Sequence, residues 1–146
     1  MQKQKKPAGF FITGTDTGVG KTVIGTTLVS ACLKQGYSVF PRKPVETACI
    51  EQGGRLLPAD GQMYAEVIQQ SQSLDSITPY CFKAAVSAKR AAYLEGIVLK
   101  IADLYEAVIR DVPDDGLIIA EGAGGLLSPL TSEGSNAELA MALGFP

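Results

Sequence analysis

The segment Gly14-Thr15-Asp16-Thr17-Gly18-Val19-Gly20-Lys21-Thr22 carries the clearest chemistry in the chain. Its glycines let backbone amides converge on an anion, Lys21 is placed to reach β- and γ-phosphate oxygens, and the Thr22 hydroxyl suits Mg²⁺. Five residues, not four, separate Gly14 from Gly20, so the strict G-x-x-x-x-G-K-S/T spacing fails and a longer variant is required. Without a ligand the segment is only a glycine-rich turn. Its flanks favour the phosphate reading: Gly9 to Thr13 reads as a short strand, and Lys21 to Lys34 as a helix whose N-terminus adds partial positive charge.

Three further positions have the right chemistry for the same site. Lys43 precedes Pro44, which biases it toward extended geometry at a strand end, where a lysine stabilises charge developing on a transferring phosphoryl group. Taken alone, Arg42-Lys43 is also a solvated strand end. Glu121 follows the apolar run Gly116 to Ala120, a place for a carboxylate that holds Mg²⁺. Asp60 is either a third oxygen donor or the plain N-cap of a helix. Thr22, Asp60 and Glu121 together offer a hydroxyl and two carboxylates, a hard oxygen set that Mg²⁺ prefers. The turn Gly122-Ala123-Gly124-Gly125 permits close backbone approach to a ligand.

The elements that must position these residues alternate. Helices are expected over Lys21 to Lys34, Asp60 to Gln70, Ser87 to Gly96, Ile97 to Arg110 and Asn136 to Leu143. The first of these gathers Val23, Ile24, Leu28, Ala31 and Cys32 on one side and stops at Gly36. In the fourth, Ile97, Ile101, Leu104, Val108 and Ile109 form one apolar face, for a core or a subunit interface. Strands are expected over Gly9 to Thr13, Tyr37 to Lys43 and Gly116 to Ala120, the last buried on both faces, and Ile77 to Phe82 reads as either a short strand or an extended connection. Glu46 to Pro58 reads as a loop. Such alternation implies right-handed crossovers and an α/β fold with a mainly parallel sheet flanked by helices. Ligands of such sheets sit beyond the carboxyl ends of the strands, where the informative residues cluster.

Composition narrows the chemistry. The 146 residues contain no histidine, which removes Ser-His-Asp and Cys-His nucleophiles and His-containing metal sites. A net charge of -2 without a basic block argues against nucleic acid as a partner. No run approaches a membrane span or a signal core, and the lysine-bearing Met1 to Pro7 reads as a solvated tail. Cys32, Cys49 and Cys81 are odd in number and lack C-x-x-C spacing, as expected of free structural thiols in a reducing cytoplasm.

Taken together, Gly14-Thr15-Asp16-Thr17 with Gly20-Lys21-Thr22, Lys43-Pro44-Val45, Asp60 and Glu121-Gly122-Ala123-Gly124-Gly125 resemble one family, the ATP-dependent dethiobiotin synthetases of biotin biosynthesis. The long phosphate loop is itself a trait of that family. The resemblance implies a P-loop NTPase-like fold and a cytoplasmic, homodimeric ligase that turns 7,8-diaminononanoate, CO₂ and Mg-ATP into dethiobiotin, ADP and phosphate. It assigns nucleotide binding to Gly18, Val19, Gly20, Lys21, Thr22, Val23, Asp60, Glu121, Gly122, Ala123 and Gly124. It assigns Mg²⁺ to Thr22, Asp60 and Glu121, catalysis to Lys43 and substrate contact to Thr47. Two other readings stay open: a related P-loop amidoligase such as cobyrinate diamide synthetase, and a non-catalytic ATP-dependent switch protein.

The chain departs from the family pattern at several places. Gly18 stands where some relatives carry glutamate, Thr47 replaces a serine, and Ala48 takes the place of a glycine. Ser87-Ala88-Lys89-Arg90 is more basic than the proline-containing segment expected there. Gly144-Phe145-Pro146 reads as the lead-in to another strand, so residues 1–146 are expected to form a single nucleotide-binding domain without the family's C-terminal part.

Overall fold

A computed structural model describes residues 7–146, and the rest of the tail expected at Met1 to Pro7 lies outside the described residues. In chain order the elements are β1 (Ala8–Ile12), α1 (Lys21–Lys34), β2 (Val39–Arg42), β3 (Val45–Glu46), β4 (Ile50–Gln52), β5 (Arg55–Leu57), α2 (Ala59–Val67), α3 (Leu74–Ile77), β6 (Tyr80–Cys81), α4 (Ala88–Leu94), α5 (Ile101–Ile109), β7 (Leu117–Glu121) and α6 (Asn136–Leu143). The α1 and α6 bounds match the expected ones, and β1, β2 and β7 shift by a residue or two. The stretch from Ile77 to Phe82 keeps strand only at Tyr80–Cys81, and its Ile77 ends the unforeseen helix α3. The segment read as a loop from Glu46 to Pro58 instead holds β3 and the antiparallel β4–β5 hairpin, turned at Gly53-Gly54.

The central sheet has the order β1-β7-β2, and both pairings are parallel, as the alternating pattern predicts. Register sets Ile12 beside Glu121 and Arg42 beside Ala120, so the three strands end level and their C-terminal residues share one edge. Both faces are covered. Ile118 and Ala120 of β7 pack with Leu104, Val108, Leu139 and Leu143, while Ile119 packs with Val29, Tyr64, Ile68 and Ile77. This is the strand buried on both faces expected from its unbroken apolar run. Each isoleucine so buried contributes roughly 1.5–3 kcal/mol relative to exposure.

α1 turns a different side inward than its apolar pattern suggests. Gly25, Thr26 and Val29 are buried, whereas Val23 and Ile24 are 60 % and 63 % exposed and Ala31 is exposed. The cause is close approach to α2. A Cβ at Gly25 would collide with the Tyr64 hydroxyl and press on Ile12, so only the smallest face of α1 fits there. Likewise Ile97 precedes α5 rather than lying on it, and is 40 % exposed.

Gly25→Ala is therefore expected to displace Tyr64 or push α1 outward, costing about 2–3 kcal/mol as an overpacked core site. Urea unfolding checks it: an unchanged midpoint would mean that this helix contact is loose.

Candidate active site

The level edge of the sheet gathers the chemistry. β1 leads into residues 13–20, which reverse onto α1. Gly18 and Gly20 adopt left-handed backbone angles, φ 73° and 99°, that an L side chain would strain. Asp16 Oδ1 accepts from the Thr17 amide at 2.7 Å, and Lys21 Nζ donates to the Asp16 carbonyl at 2.6 Å, drawing the loop over the lysine stem. α1 starts at Gly20 with no side-chain cap and no acid in its first turn. Its first amides, on Lys21, Thr22 and Val23, thus keep the partial positive charge of a helix N-terminus. α6, by contrast, is closed by a capping box from Ser135 and Glu138. Strand, glycine loop and helix follow one another as the sequence pattern predicts.

Beside it lies a buried charge cluster. Lys43 follows β2 and is 4 % exposed; its Nζ stands 2.6 Å from Asp60 Oδ2 and 2.6 Å from Glu121 Oε1. Glu121 is fully buried at the end of β7. Its Oε1 also accepts from the Thr22 hydroxyl at 3.0 Å, and its Oε2 from the Tyr64 hydroxyl at 2.6 Å. Burial alone would lower the Lys43 pKa, but Glu121 and Asp60 outweigh it and hold the amine above its ordinary value. Burial, with Glu121 adding to it, raises the Tyr64 phenol. Lys43 is therefore a cation at neutral pH.

The alternative of a solvated Arg42-Lys43 strand end fails on burial. Arg42 is 2 % exposed and donates to the Pro41 carbonyl, Gln72 Oε1 and the Arg110 carbonyl, bracing β2 against the far side from Lys43. Desolvation lowers its pKa to about 10.

Asp60 is not the cap of α2. It sits in the first turn with its carboxylate on Lys43, and the cap comes from Glu46 of β3, which sequence reasoning missed. Glu46 Oε1 accepts from the Asp60 amide at 3.0 Å and Oε2 from the Gly61 amide at 3.1 Å. Thr47 follows, half-buried, before Ala48 takes a left-handed turn at φ 60°. Asn136 was also unforeseen as a site residue. Fully buried at the start of α6, it accepts from the Ala123 amide and donates to the carbonyls of Ala123 and Gly125. The glycine turn it holds is joined to the phosphate loop, since the Gly122 amide reaches the Ile12 carbonyl and the Leu126 amide reaches that of Gly14. No pattern signals Glu46, Tyr64 or Asn136, because each acts across elements distant in sequence.

Among the described residues no three His, Cys, Asp or Glu side chains gather at metal-binding distance. The Thr22 hydroxyl and the two carboxylates nevertheless form a hard donor set, and those carboxylates already enclose a positive charge, that of Lys43. The donor chemistry fits Mg²⁺.

A parallel α/β sheet with a strand–glycine loop–helix anion site at its carboxyl edge defines a P-loop nucleotide-binding protein. The chain belongs to the AAA domain family, whose match spans residues 8–146. It is similar to ATP-dependent dethiobiotin synthetase BioD of Thermodesulfovibrio yellowstonii, at 37 % identity over 86 % of this chain and 52 % of that protein. It is 38 % identical to the protein of the same name from Anaeromyxobacter dehalogenans, over 94 % of this chain and 60 % of that one. The corresponding protein of Vesicomyosocius okutanii gives 38 % over 94 % of this chain and 62 % of its own length. The chain thus spans between half and two thirds of the curated relatives it matches.

Tyr64→Phe removes a donor from a buried carboxylate and is expected to destabilise the fold by about 1.5–3 kcal/mol. An unchanged urea midpoint would contradict the bond. Burial holds the Glu46 carboxyl above its ordinary 4.5, outweighing the lowering effect of the two amide bonds. The folded state then binds that proton more readily than the unfolded chain, so Glu46 adds stability as pH falls from neutral toward 4.5. Wild type should gain relative to Glu46→Gln over that window, and parallel stability curves of the two proteins would refute the assignment.

Proposed function

We propose that residues 1–146 form the nucleotide-binding unit of an ATP-dependent dethiobiotin synthetase, joining 7,8-diaminononanoate and CO₂ at the expense of ATP. The observation that carries this reading is the Lys43 ammonium buried between Asp60 and Glu121 and linked through Glu121 to Thr22 of the phosphate loop. Similarity to dethiobiotin synthetases over most of the chain supports it.

One substrate amine captures CO₂ as a carbamate and releases a proton. A carbamate oxygen attacks the γ-phosphorus and ADP leaves, giving a mixed carbamic–phosphoric anhydride. The second amine attacks the carbonyl carbon, phosphate departs, and loss of a proton leaves the cyclic urea. The substrate supplies both nucleophiles, so the protein's task is positioning and charge stabilisation. The absence of histidine is consistent with that.

The amides of Gly18 to Val23 and the Lys21 ammonium bind the triphosphate, and the Gly122-Ala123-Gly124 turn borders it. Lys43 stabilises charge on the transferring phosphoryl group. Thr47, on the segment leading out from Lys43, contacts the diamine. Thr22, Asp60 and Glu121 would hold Mg²⁺, which neutralises phosphate charge when bound. The working protein is a homodimer in the cytoplasm, as the similarity to dethiobiotin synthetases suggests.

Mass spectrometry of the product from diamine, bicarbonate and Mg-ATP tests this, with the Thermodesulfovibrio yellowstonii protein alongside. Dethiobiotin is expected, and Lys43→Ala should lower its rate on the order of a hundredfold or more. A near wild-type rate in that variant removes Lys43 from the chemistry, whereas ATP turnover indifferent to the diamine points to a switch protein.

A further inference from the structure

The two carboxylates that suit Mg²⁺ are the same two that hold Lys43. Its ammonium lies 2.6 Å from Asp60 Oδ2 and 2.6 Å from Glu121 Oε1. Glu121 Oε2 is turned into the core, where it accepts from the buried Tyr64 hydroxyl at 2.6 Å. A metal held by Glu121 therefore needs Oε1, whose lone pairs already take protons from the Thr22 hydroxyl and the Lys43 ammonium. A hydroxyl both donates and accepts, so Thr22 can keep its bond to Oε1 while a lone pair of its own faces the metal. An ammonium only donates, so Lys43 and the metal compete for Oε1. The cluster is reached from solvent on one side: Thr22 and Asp60 are half-buried, whereas Lys43 and Glu121 are buried.

We propose that Lys43 also determines what the metal site accepts: its ammonium and the divalent cation are alternative occupants of the Asp60–Glu121 pair, so the metal enters only together with nucleotide phosphates. This rests on the reading of Thr22, Asp60 and Glu121 as the metal's donors. Charge balance sets the order of events. The ammonium already answers the two carboxylates. A divalent ion added beside it crowds cations into a poorly screened interior, where their repulsion is strong. Nucleotide phosphates remove that obstacle in two ways. They neutralise the metal, and they offer the displaced ammonium new acceptors at the glycine loop, to which the Thr22–Glu121 bond joins the cluster. Loading the site therefore hands Lys43 from the carboxylates to the phosphate whose charge it is to stabilise.

The test reads binding, not turnover. Mn²⁺ is the probe, followed by the electron paramagnetic resonance signal of the free aqueous ion. Without nucleotide, wild type should leave Mn²⁺ free at concentrations where Lys43→Met binds it, an affinity gain on the order of tenfold or more. Lys21→Met removes a cation bonded to the Asp16 carbonyl instead, and should stay at the wild-type level. With the nonhydrolysable analogue AMP-PNP, dialysis should retain Mn²⁺ on wild type. If Lys43→Met unfolds for want of its buried charge, added Mn²⁺ should restore its urea midpoint toward that of wild type. Equal nucleotide-free affinity in wild type and Lys43→Met overturns the proposal alone, as does an equal gain in Lys21→Met. A Lys43→Met chain that Mn²⁺ neither binds nor refolds overturns it too. A gain that survives Glu121→Gln in the Lys43→Met background puts the ion elsewhere, and the reading of the donors falls with the proposal.

Discussion

Everything at the carboxyl edge depends on one fully buried carboxylate. Glu121 ends the most deeply buried strand, and an ionised group there is tolerable only if its lone pairs are filled. Three elements fill them: Thr22 from α1, Lys43 from the end of β2 and Tyr64 from α2. Lys43 in turn needs a second anion nearby, and Asp60 supplies it. Asp60 is held in place because Glu46 anchors the amides of the turn that bears it. Tyr64 finds room because the helix it faces has glycine at position 25. A chain of electrostatic necessities therefore runs from β7 outward through both helices on that face of the sheet.

Such buried pairs do little for net stability, since desolvation offsets much of the Coulomb attraction. Their consequence is geometric. Removing either partner strands a charge in a dry interior, so the arrangement admits few alternatives. The ammonium, two carboxylates and a hydroxyl are consequently set out before any ligand arrives, a form of preorganisation that suits charge stabilisation at a reacting centre.

Much of this was legible in the sequence because it is local. The phosphate loop announces itself through glycines, a lysine and a threonine between a strand and a helix. Glu121 stands where an apolar run stops, and Lys43 where proline follows. What was not legible is pairwise. The inward face of α1 was misjudged because Tyr64 selects Gly25, not because the helix lacks apolar residues. Asp60 stayed open between cap and oxygen donor because the residue that does the capping is fourteen positions away, on another strand. The pairing of β3 with β6 spans only two residues on each strand and leaves no periodicity to detect. Local pattern thus located the candidate site groups, and tertiary contact decided how each was held.

The bare start of α1 has a thermodynamic meaning of its own. Most helix ends are finished by the protein itself, as Ser135 finishes α6. α1 leaves that task to whatever anion enters the loop, so the occupant completes an element of secondary structure as well as filling a site. Occupancy and order of the first helical turn become one equilibrium, and a ligand's affinity includes the free energy of finishing the helix that receives it.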